Sequence, residues 1–266
     1  MGIIKVQNVK VGYEDKIIIE DLSVSIKESA ITTIIGENGS GKSTLLKAIG
    51  RVIKPKKGEI FVRDLNVHKT NTKQIARIMG LLPQSPKAPS GLSVVEIVEY
   101  GRFPHKEGKG NLTKEDHDIV EWALESTNLL PFKHRTIEAL SGGQRQRVWI
   151  AMVLAQQTDI ILLDEPTTYL DMAYQLEVLQ LVQKLNQEKG ITVVMVLHDI
   201  NQASRFSDEL IMLKNGSVVA QGSPQETMTR EVLRQVFQIE AVITHIPGTK
   251  NPVCLSYELL KEKGEK

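Results

Sequence analysis

The sequence has little cysteine and little net charge. Cys254 is the only cysteine among the 266 residues, so an intrachain disulfide is excluded, which suits a reducing compartment. We expect Cys254 to be a small, partly buried side chain, because the sequence shows no activating partner for its thiol. The formal net charge of +1 removes the electrostatic reason to propose non-specific binding to nucleic acid, which usually accompanies a strongly basic domain.

Long apolar runs are also missing from the sequence. No run approaches the about 18 apolar residues of a membrane span, and the N-terminus has no signal-peptide pattern. If a membrane is involved, we therefore expect another protein to cross it. The residues that are present, 41% of them hydrophobic and 24% charged, are typical of a globular chain with a sizeable core.

One glycine-rich stretch, residues 36–44, predicts a bound nucleotide. It matches the spacing G-x-x-x-x-G-K-[ST] without a mismatch. A β-branched apolar run at 31–35 precedes it and helical spacing follows it, which is the strand, loop and helix context that the motif needs. Backbone N–H groups would face phosphate oxygens, Lys42 would lie over the terminal phosphates, and the Ser43 hydroxyl would ligate Mg²⁺. The residues of this phosphate loop are Gly36, Glu37, Asn38, Gly39, Ser40, Gly41, Lys42, Ser43 and Thr44.

The remaining pattern predicts an α/β fold with two additions. Alternating apolar and polar residues from 3 to 26 predict an antiparallel sheet at the N-terminus. Apolar runs predict buried, mainly parallel strands at 31–35, 78–82, 159–163 and 191–197. Helical periodicity over 85–157 predicts an inserted helical subdomain. Near the C-terminus we expect a hairpin that turns at Asn215-Gly216, and then one helix and two short strands.

Two acidic residues, Asp164 and Glu165, end the apolar run at 159–163. Ligands of open α/β sheets bind at the carboxyl ends of the strands. We expect Asp164 to hold Mg²⁺ together with Ser43, and Glu165 to polarise an attacking water. Taken alone, Asp164 could equally be a helix N-cap, but the four apolar residues before it and the phosphate loop upstream favour the metal role.

Two further polar residues follow buried runs in the same way. His198 comes after the run at 191–197 and could contact a terminal phosphate, although a lone histidine at a strand end is more often simply hydrogen-bonded. Gln84 follows the run at 78–82 and could reach the metal or the water.

A second anion site and an aromatic contact complete the prediction. Ser141, Gly142, Gly143 and Gln144 precede an apolar helix, and a serine and two glycines at a helix start leave backbone N–H groups for an anion. Tyr13 stands beside Gly12 at the end of a predicted strand. Its ring could stack on a purine, although such a residue taken alone is more often an ordinary surface side chain.

Together, these residues resemble ATP-binding cassette ATPases over residues 3–224. The matching elements are Tyr13, the phosphate loop, Gln84, the signature Leu140-Ser141-Gly142-Gly143-Gln144, the run 160–165, Leu170-Asp171 and His198. The signature is the discriminating element, because many unrelated nucleotidases have a phosphate loop. Many members have a smaller residue at the position of Tyr169. This tyrosine and the segment 100–105 (YGRFPH) resemble the corresponding residues in the ATPases of iron–siderophore, haem and vitamin B12 importers.

The resemblance implies a P-loop NTPase (RecA-like) core that hydrolyses ATP with Mg²⁺. It implies a single ATPase domain over residues 1–224, with the core at 1–84 and 158–224 and the helical signature subdomain at 85–157, followed by a small extension at 225–266. Tyr13 would stack on adenine, and Lys42, Gln84, Glu165 and His198 would act in catalysis. The metal would be held by Ser43, Gln84 and Asp164.

The same resemblance implies partners. Two copies would close head to tail over two ATP molecules, so that Ser141, Gly142, Gly143 and Gln144 of one copy face the phosphate loop of the other, with Asp171 at their interface. Gln84 and the segment through Arg102 would connect the ATP site to membrane permease subunits, which are fed by an extracellular or periplasmic binding protein. The chain would lie peripherally on the cytoplasmic face of the membrane.

Several alternatives stay open at this point. The ATPase could serve an importer of vitamin B12, haem or metal, or an exporter, because nothing in the ATP site encodes the substrate or the direction. A soluble cassette ATPase acting on nucleic acid or ribosomes would usually carry a coiled-coil insertion, two cassettes or basic linkers, which this sequence lacks. A non-hydrolysing regulatory protein is disfavoured by the presence of both Glu165 and His198.

Overall fold

The structure is a computed structural model that describes residues 2–14, 16–106, 108, 111–248 and 250–260. Two compact units make up the chain. The first unit consists of Met1–Lys69 and Val194–Lys266, and the second unit consists of Thr70–Val193. The predicted domain boundaries at residues 84, 157 and 224 stay predictions.

The secondary structure is a mixture of strands and helices, in agreement with the predicted α/β fold. In the described residues the strands are β1 (Ile4–Tyr13), β2 (Lys16–Ile26), β3 (Ile31–Gly36), β4 (Lys57–Val62), β5 (Leu65–Asn66), β6 (Met79–Leu82), β7 (Ile160–Asp164), β8 (Thr192–Val196), β9 (Glu209–Lys214), β10 (Ser217–Gly222), β11 (Ile239–Thr244) and β12 (Val253–Leu259). The α-helices there are α1 (Lys42–Ile49), α2 (Thr72–Ala76), α3 (Val94–Glu99), α4 (Lys114–Ser126), α5 (Gly142–Ala155), α6 (Met172–Lys189), α7 (Ile200–Phe206), α8 (Pro224–Thr227) and α9 (Arg230–Phe237).

The N-terminal sheet of the first unit is antiparallel, as predicted, with the order β2-β1-β4-β5. In β1 the buried residues Ile4 and Val6 are followed by buried Val9 and Val11 after a gap of two exposed residues, Gln7 and Asn8. The register with β2 shifts between Val6 and Val9, and Asn8 in that gap has a φ of 46°. This irregularity returns the apolar side chains to the core face, and asparagine tolerates the left-handed conformation that it requires.

The second sheet of the first unit contains the strand that precedes the phosphate loop. All six residues of β3 are buried, and β3 pairs in parallel with β9. The hairpin of β9 and β10 is confirmed, and its turn residues Asn215 and Gly216 have φ of 48° and 75°, as a tight turn requires. Strand β8 crosses the division between the units, and just after it the Leu197 N–H donates to the Ile34 carbonyl oxygen over 3.4 Å.

The C-terminal part of the first unit has one helix more than predicted. Strands β11 and β12 form an antiparallel pair, and α9 is the predicted helix. The additional helix, α8, is four residues long and begins with Ser223 and Glu226 in a capping box; it is too short to show helical periodicity in the sequence. Cys254 is buried, and burial raises the pKa of its thiol, in agreement with the expected inert role.

The second unit combines a parallel strand pair with the predicted helices. In this unit β6 and β7 pair in parallel from Met79 opposite Ile160 to Leu82 opposite Leu163. Helix α5 packs against α3 and α4, and most of its residues after Arg147 are buried. Capping boxes start α3, α4 and α5 at Ser93, Thr113 and Ser141 respectively. The first residue of each of these helices is therefore specified by the capping residues in the sequence.

An ion pair inside the second unit joins three of its elements. The Arg102 guanidinium is only 5% exposed; its Nε donates to Asp116 Oδ1 over 2.8 Å, and its Nη1 donates to the Ala155 carbonyl oxygen over 2.8 Å. Burial alone would raise the pKa of Asp116, but hydrogen bonds from the Thr113 backbone and from Arg102 outweigh it and lower that pKa to about 2. Arg102 therefore stabilises the helical part of the unit and is not itself presented to a partner.

Replacing Arg102 by methionine keeps the aliphatic length but leaves the Asp116 carboxylate buried without its cation. We expect the free energy of unfolding at pH 7 to fall by about 3–5 kcal/mol, measured by urea unfolding. Arg135→Met provides the control. Arg135 is exposed, and surface substitutions usually change the free energy of unfolding by less than about 0.5 kcal/mol. Equal effects of the two variants would contradict the stabilising role of the buried pair.

The ion pair also predicts a pH dependence. The folded-state pKa of Asp116 is lowered from 3.8 to about 2. The stability that the ionised carboxylate contributes is therefore fully present at pH values well above 3.8, and it is lost as the pH falls from 3.8 towards 2. The wild type should therefore lose about 2 kcal/mol of stability between pH 4 and pH 2 from this group. Arg102→Met should show a smaller loss over this window, because only the hydrogen bonds from Thr113 to the carboxylate remain.

Candidate functional site

The phosphate loop lies in the first unit between β3 and α1, and close backbone approach shapes it. A Cβ atom at Gly36 would lie 2.1 Å from the Leu213 carbonyl oxygen, so only glycine fits there. Gly39 and Gly41 have φ of 80° and 102°, which other residues adopt only with strain. The Gly216 N–H donates to the Ser40 carbonyl oxygen over 2.9 Å. The loop is therefore held against the turn between β9 and β10.

Lys42 is the first residue of α1 and folds back over the loop. Its Nζ donates to the carbonyl oxygens of Gly36 and Glu37 over 2.9 and 2.8 Å, and the residue is 5% exposed. These contacts hold the ammonium group beside the loop backbone. A phosphate that binds there meets a cation already in position.

The start of α1 is open to an anion. Its N-cap residue is Gly41, and in the described part of the chain no side chain caps this helix. The N–H groups of a helix start then need other acceptors, and phosphate oxygens are suitable ones. Asn38 and Gly39 are exposed, Ser43 is half-buried, and a Cβ atom at Gly39 would meet nothing within 4 Å. The loop therefore fits the phosphates of a nucleotide.

Two more predicted residues belong to the first unit. Tyr13 is the last residue of β1 and is 47% exposed, so part of its side chain is accessible to a ligand. His198 is exposed and follows β8 after Leu197. Both residues therefore lie at strand ends, where the sequence predicted them.

In the second unit the structure brings Gln84 and Glu165 into direct contact. The Gln84 Nε2 donates to Glu165 Oε2 over 2.5 Å, and the Thr168 hydroxyl donates to the same oxygen over 3.1 Å. Glu165 has a φ of 54°, an uncommon conformation for a residue other than glycine and one that is concentrated at functional sites. Thr168 was missed by the sequence prediction, because a threonine just after the acidic pair has no pattern of its own.

Asp164 is the last residue of β7 and is 1% exposed. The N-cap of the following helix, α6, is Asp171, whose Oδ1 accepts from the Tyr174 N–H over 3.1 Å. The N-cap alternative for Asp164 is therefore wrong. Hydroxyl and carboxylate oxygens such as those of Ser43 and Asp164 are the ligand types that Mg²⁺ prefers. In the described residues, no group of three or more His, Cys, Asp or Glu side chains could hold a metal.

The second predicted anion site is the start of α5. The Ser141 Oγ accepts from the Gln144 N–H over 3.3 Å, and the Gln144 Oε1 accepts from the Ser141 N–H over 3.0 Å. This capping box occupies part of the helix start, whereas a Cβ atom at Gly142 would meet nothing within 4 Å. Ser141, Gly142 and Asp171 are all exposed. The signature turn can therefore be reached from outside the unit.

The predicted site residues are divided between the two units. The first unit contains Tyr13, residues 36–44 and His198, and the second contains Gln84, residues 141–144, Asp164, Glu165 and Asp171.

Within the described residues, no helix is both long enough and apolar enough to span a membrane.

Sequence comparison gives a family and close relatives. The family model described as ABC transporter matches residues 19–168. The iron(3+)-hydroxamate import ATP-binding protein FhuC of Bacillus subtilis (strain 168) is 53% identical over 265 residues, which cover 100% of this chain and 98% of FhuC. The ferric enterobactin transport ATP-binding protein FepC of Escherichia coli (strain K12) is 41% identical over 249 residues, which cover 94% of this chain and 92% of FepC.

Solved structures agree with the fold. A putative metal-chelate type ABC transporter in an inward-facing conformation has a TM-score of 0.82 at 29% identity, covering 96% of this chain and 98% of that one. The dimeric post-hydrolysis structure of the ATP-binding cassette MJ0796 with ADP and Pi has a TM-score of 0.73 at 35% identity, covering 83% and 98% of the two chains. The predicted α/β fold with an antiparallel sheet and helical additions is confirmed.

Lys42→Ala should weaken nucleoside triphosphate binding, because it removes the cation that the loop holds in place. We expect affinity to fall about tenfold or more, the effect of losing one charge-assisted hydrogen bond, measured by titration with a fluorescent triphosphate analogue. Lys47→Ala, at the other end of α1, provides the control and should bind normally. Unchanged binding by Lys42→Ala would contradict the phosphate-loop assignment.

Proposed function

Because the chain belongs to the ABC transporter family and is an ATPase of that family, we propose that it is the subunit that energises import of ferric siderophores through a separate membrane permease. The observation that carries this proposal is the 53% identity to an iron(3+)-hydroxamate import ATP-binding protein, which extends over the whole chain. Relatives named for petrobactin and enterobactin transport match over nearly the same length. A ferric chelate is therefore the substrate class with the strongest support.

In the first unit we assign residues to binding of the nucleotide. The loop amides and Lys42 would hold the β- and γ-phosphates, and Tyr13 would stack on the adenine ring. The Ser43 hydroxyl would ligate Mg²⁺, which neutralises phosphate charge when bound. His198 would contact the γ-phosphate. The contacts of Lys42 with the loop carbonyls support this assignment, since they place the ammonium group beside the backbone that would surround the phosphates.

In the second unit we assign Glu165 as the residue that polarises the attacking water. Phosphoryl transfer requires positioned groups more than covalent chemistry, and the hydrogen bonds from Gln84 and Thr168 fix the orientation of the Glu165 carboxylate. Asp164, the last residue of β7, directly precedes Glu165 and would ligate Mg²⁺, as Ser43 would. Gln84 would thus have two roles, orienting Glu165 and reaching the metal.

The proposed assembly is a dimer of this chain docked on permease subunits at the cytoplasmic face of the membrane. Two copies would enclose ATP between the phosphate loop of one and the signature turn, residues 141–144, of the other. ATP would favour the closed dimer through its differential affinity, and loss of the γ-phosphate would remove that preference. The stacked rings of Tyr100 and Phe103, with centroids 5.2 Å apart and both exposed, lie in the segment that we propose faces the permease.

Glu165→Gln tests the catalytic assignment. The amide keeps the size of the side chain but loses the charge that polarises water, so kcat should fall about 100-fold or more while ATP still binds. The variant should also accumulate an ATP-dependent dimer in size-exclusion chromatography. Glu188→Gln, at an exposed position near the end of α6, provides the matched control for loss of one negative charge. Normal hydrolysis by Glu165→Gln would exclude its proposed role.

Uptake measurements test the substrate. A strain of the source organism without the gene for this chain should lose uptake of radiolabelled iron supplied as a ferric hydroxamate. Expression of the wild-type chain should restore this uptake, whereas expression of Glu165→Gln should not. Uptake of vitamin B12 in the same strain should be unchanged. Normal ferric hydroxamate uptake without the chain would reject the iron assignment, and loss of vitamin B12 uptake alone would indicate the alternative importer.

A further inference from the structure

The first turn of α6 packs on the first turn of α5 through one aromatic ring. A Cβ atom at Gly143 would lie 2.7 Å from Cγ and 2.8 Å from Cδ1 of Tyr174. These distances are shorter than any van der Waals contact, so the Tyr174 ring occupies the space that a side chain at position 143 would need. Because Cγ is the ring atom nearest the backbone, a ring flip would not relieve the overlap.

The two glycines of the signature turn differ in this respect. A Cβ atom at Gly142 would meet nothing within 4 Å, whereas one at Gly143 would overlap Tyr174. Gly142 is exposed and Gly143 is buried. Access for a phosphate could explain a glycine at position 142, but at position 143 packing against α6 already requires one.

The Tyr174 ring also lies near a second residue of α5, Arg147, which is one helical turn after Gly143. The Arg147 guanidinium carbon lies 6.0 Å from the centroid of the Tyr174 ring, and Arg147 Nη1 lies 3.5 Å from Glu177 Oε2. Gly143 and Arg147 are four residues apart on α5, and Tyr174 and Glu177 are three residues apart on α6, so each pair lies on one helix face. The contact is therefore between two helix faces.

Tyr174 is also joined to the turn that precedes α6. Its backbone N–H donates to Asp171 Oδ1 over 3.1 Å, and this contact caps the helix. On the side of α5, the Ser141 and Gln144 capping box fixes the turn that contains Gly143. One residue thus links the Asp171 turn to the signature turn within the same unit.

We propose that Tyr174 is a positioning residue that fixes the signature turn against the Asp171 turn, so that both reach the second copy as one rigid surface. This inference rests on the proposed function, in which both turns contact the other copy. A displacement of about 1 Å in such a surface can reduce the rate about 100-fold, because groups that act on a transition state must already be in place. Tyr174 acts through Gly143 and does not itself contact the nucleotide.

Substitutions at positions 143 and 174 test the coupling. Tyr174→Ala should lower kcat for ATP hydrolysis about tenfold, within the usual range of coupling between sites, and should leave nucleotide binding by the isolated chain unchanged. Tyr174→Phe keeps the ring and should retain nearly full kcat. Gly143→Ala should lower kcat more than Tyr174→Ala does, since its methyl group meets the ring.

The double variant distinguishes packing from direct phosphate contact. In Gly143→Ala/Tyr174→Ala the overlap is gone, so its kcat should rise above that of Gly143→Ala and approach that of Tyr174→Ala. Gly142→Ala provides the matched control, and Tyr174→Ala should not improve it, because nothing lies near a Cβ atom at position 142. Circular dichroism and nucleotide binding by the phosphate loop establish folding, and Tyr174→Leu replaces Tyr174→Ala if the latter does not fold.

The inference is overturned if the variant that removes the ring keeps wild-type kcat, or if Gly143→Ala is equally impaired with and without the ring. Failure of the proposed function gives a different result. In that case Glu165→Gln would form no ATP-dependent dimer, whereas failure of the inference alone leaves that dimer intact.

Discussion

The close approach of one backbone to another in the first unit is the constraint on which the phosphate loop depends. Gly36 lies so near the Leu213 carbonyl that no side chain fits, and the Gly216 N–H, in the turn of the hairpin, donates to the Ser40 carbonyl oxygen. The turn between β9 and β10 thus supports the loop, although more than 170 residues separate them in the sequence. Because the loop is supported from behind, its N–H groups and Lys42 need little reordering when a phosphate arrives.

A comparable constraint acts on the acidic end of β7. Glu165 adopts a left-handed conformation, which for a non-glycine residue has a cost of about 1–3 kcal/mol. The hydrogen bonds from Gln84 and Thr168 offset part of that cost. The chain turns sharply at this point, so the buried Asp164 and the half-buried Glu165 are adjacent in sequence but have different surroundings. The contrast suits the two roles proposed for them, one as a metal ligand and the other as the group that faces water.

The sequence predicted those parts of the fold that depend on local pattern. The buried run before the loop, the Asn215-Gly216 turn and the strand that ends at Asp164 follow from composition over a few residues, and all are confirmed. Helix α8 was missed, because four residues show no periodicity. Arg102 was placed in a segment facing a partner, but it is buried against Asp116, a pairing between residues 14 positions apart that no local pattern reveals.

The site was predictable to a similar extent. A motif of fixed spacing identifies the residues of the loop, because its chemistry requires adjacent residues. The contacts that orient other site residues come from distant positions: Gln84 contacts Glu165 across 81 residues, and Tyr174 covers Gly143 from another helix. Such contacts depend on tertiary packing, which a single sequence does not specify. The supporting residues were therefore missed more often than the reacting ones.

The two helix starts proposed to face ATP differ in how strongly they attract an anion. This difference implies the order in which the two starts contact the nucleotide. Helix α1 begins at a glycine without a side-chain cap and has Lys42 beside it, so it offers open N–H groups and a full positive charge. Helix α5 is capped by its own Ser141, and the cation of its first turn, Arg145, is an exposed side chain on the fourth residue of the helix. The start of α1 is therefore the stronger anion site, and ATP should bind there first. In the proposed dimer, the start of α5 would then contribute only to a nucleotide already held, and closure of the second copy would follow ATP binding.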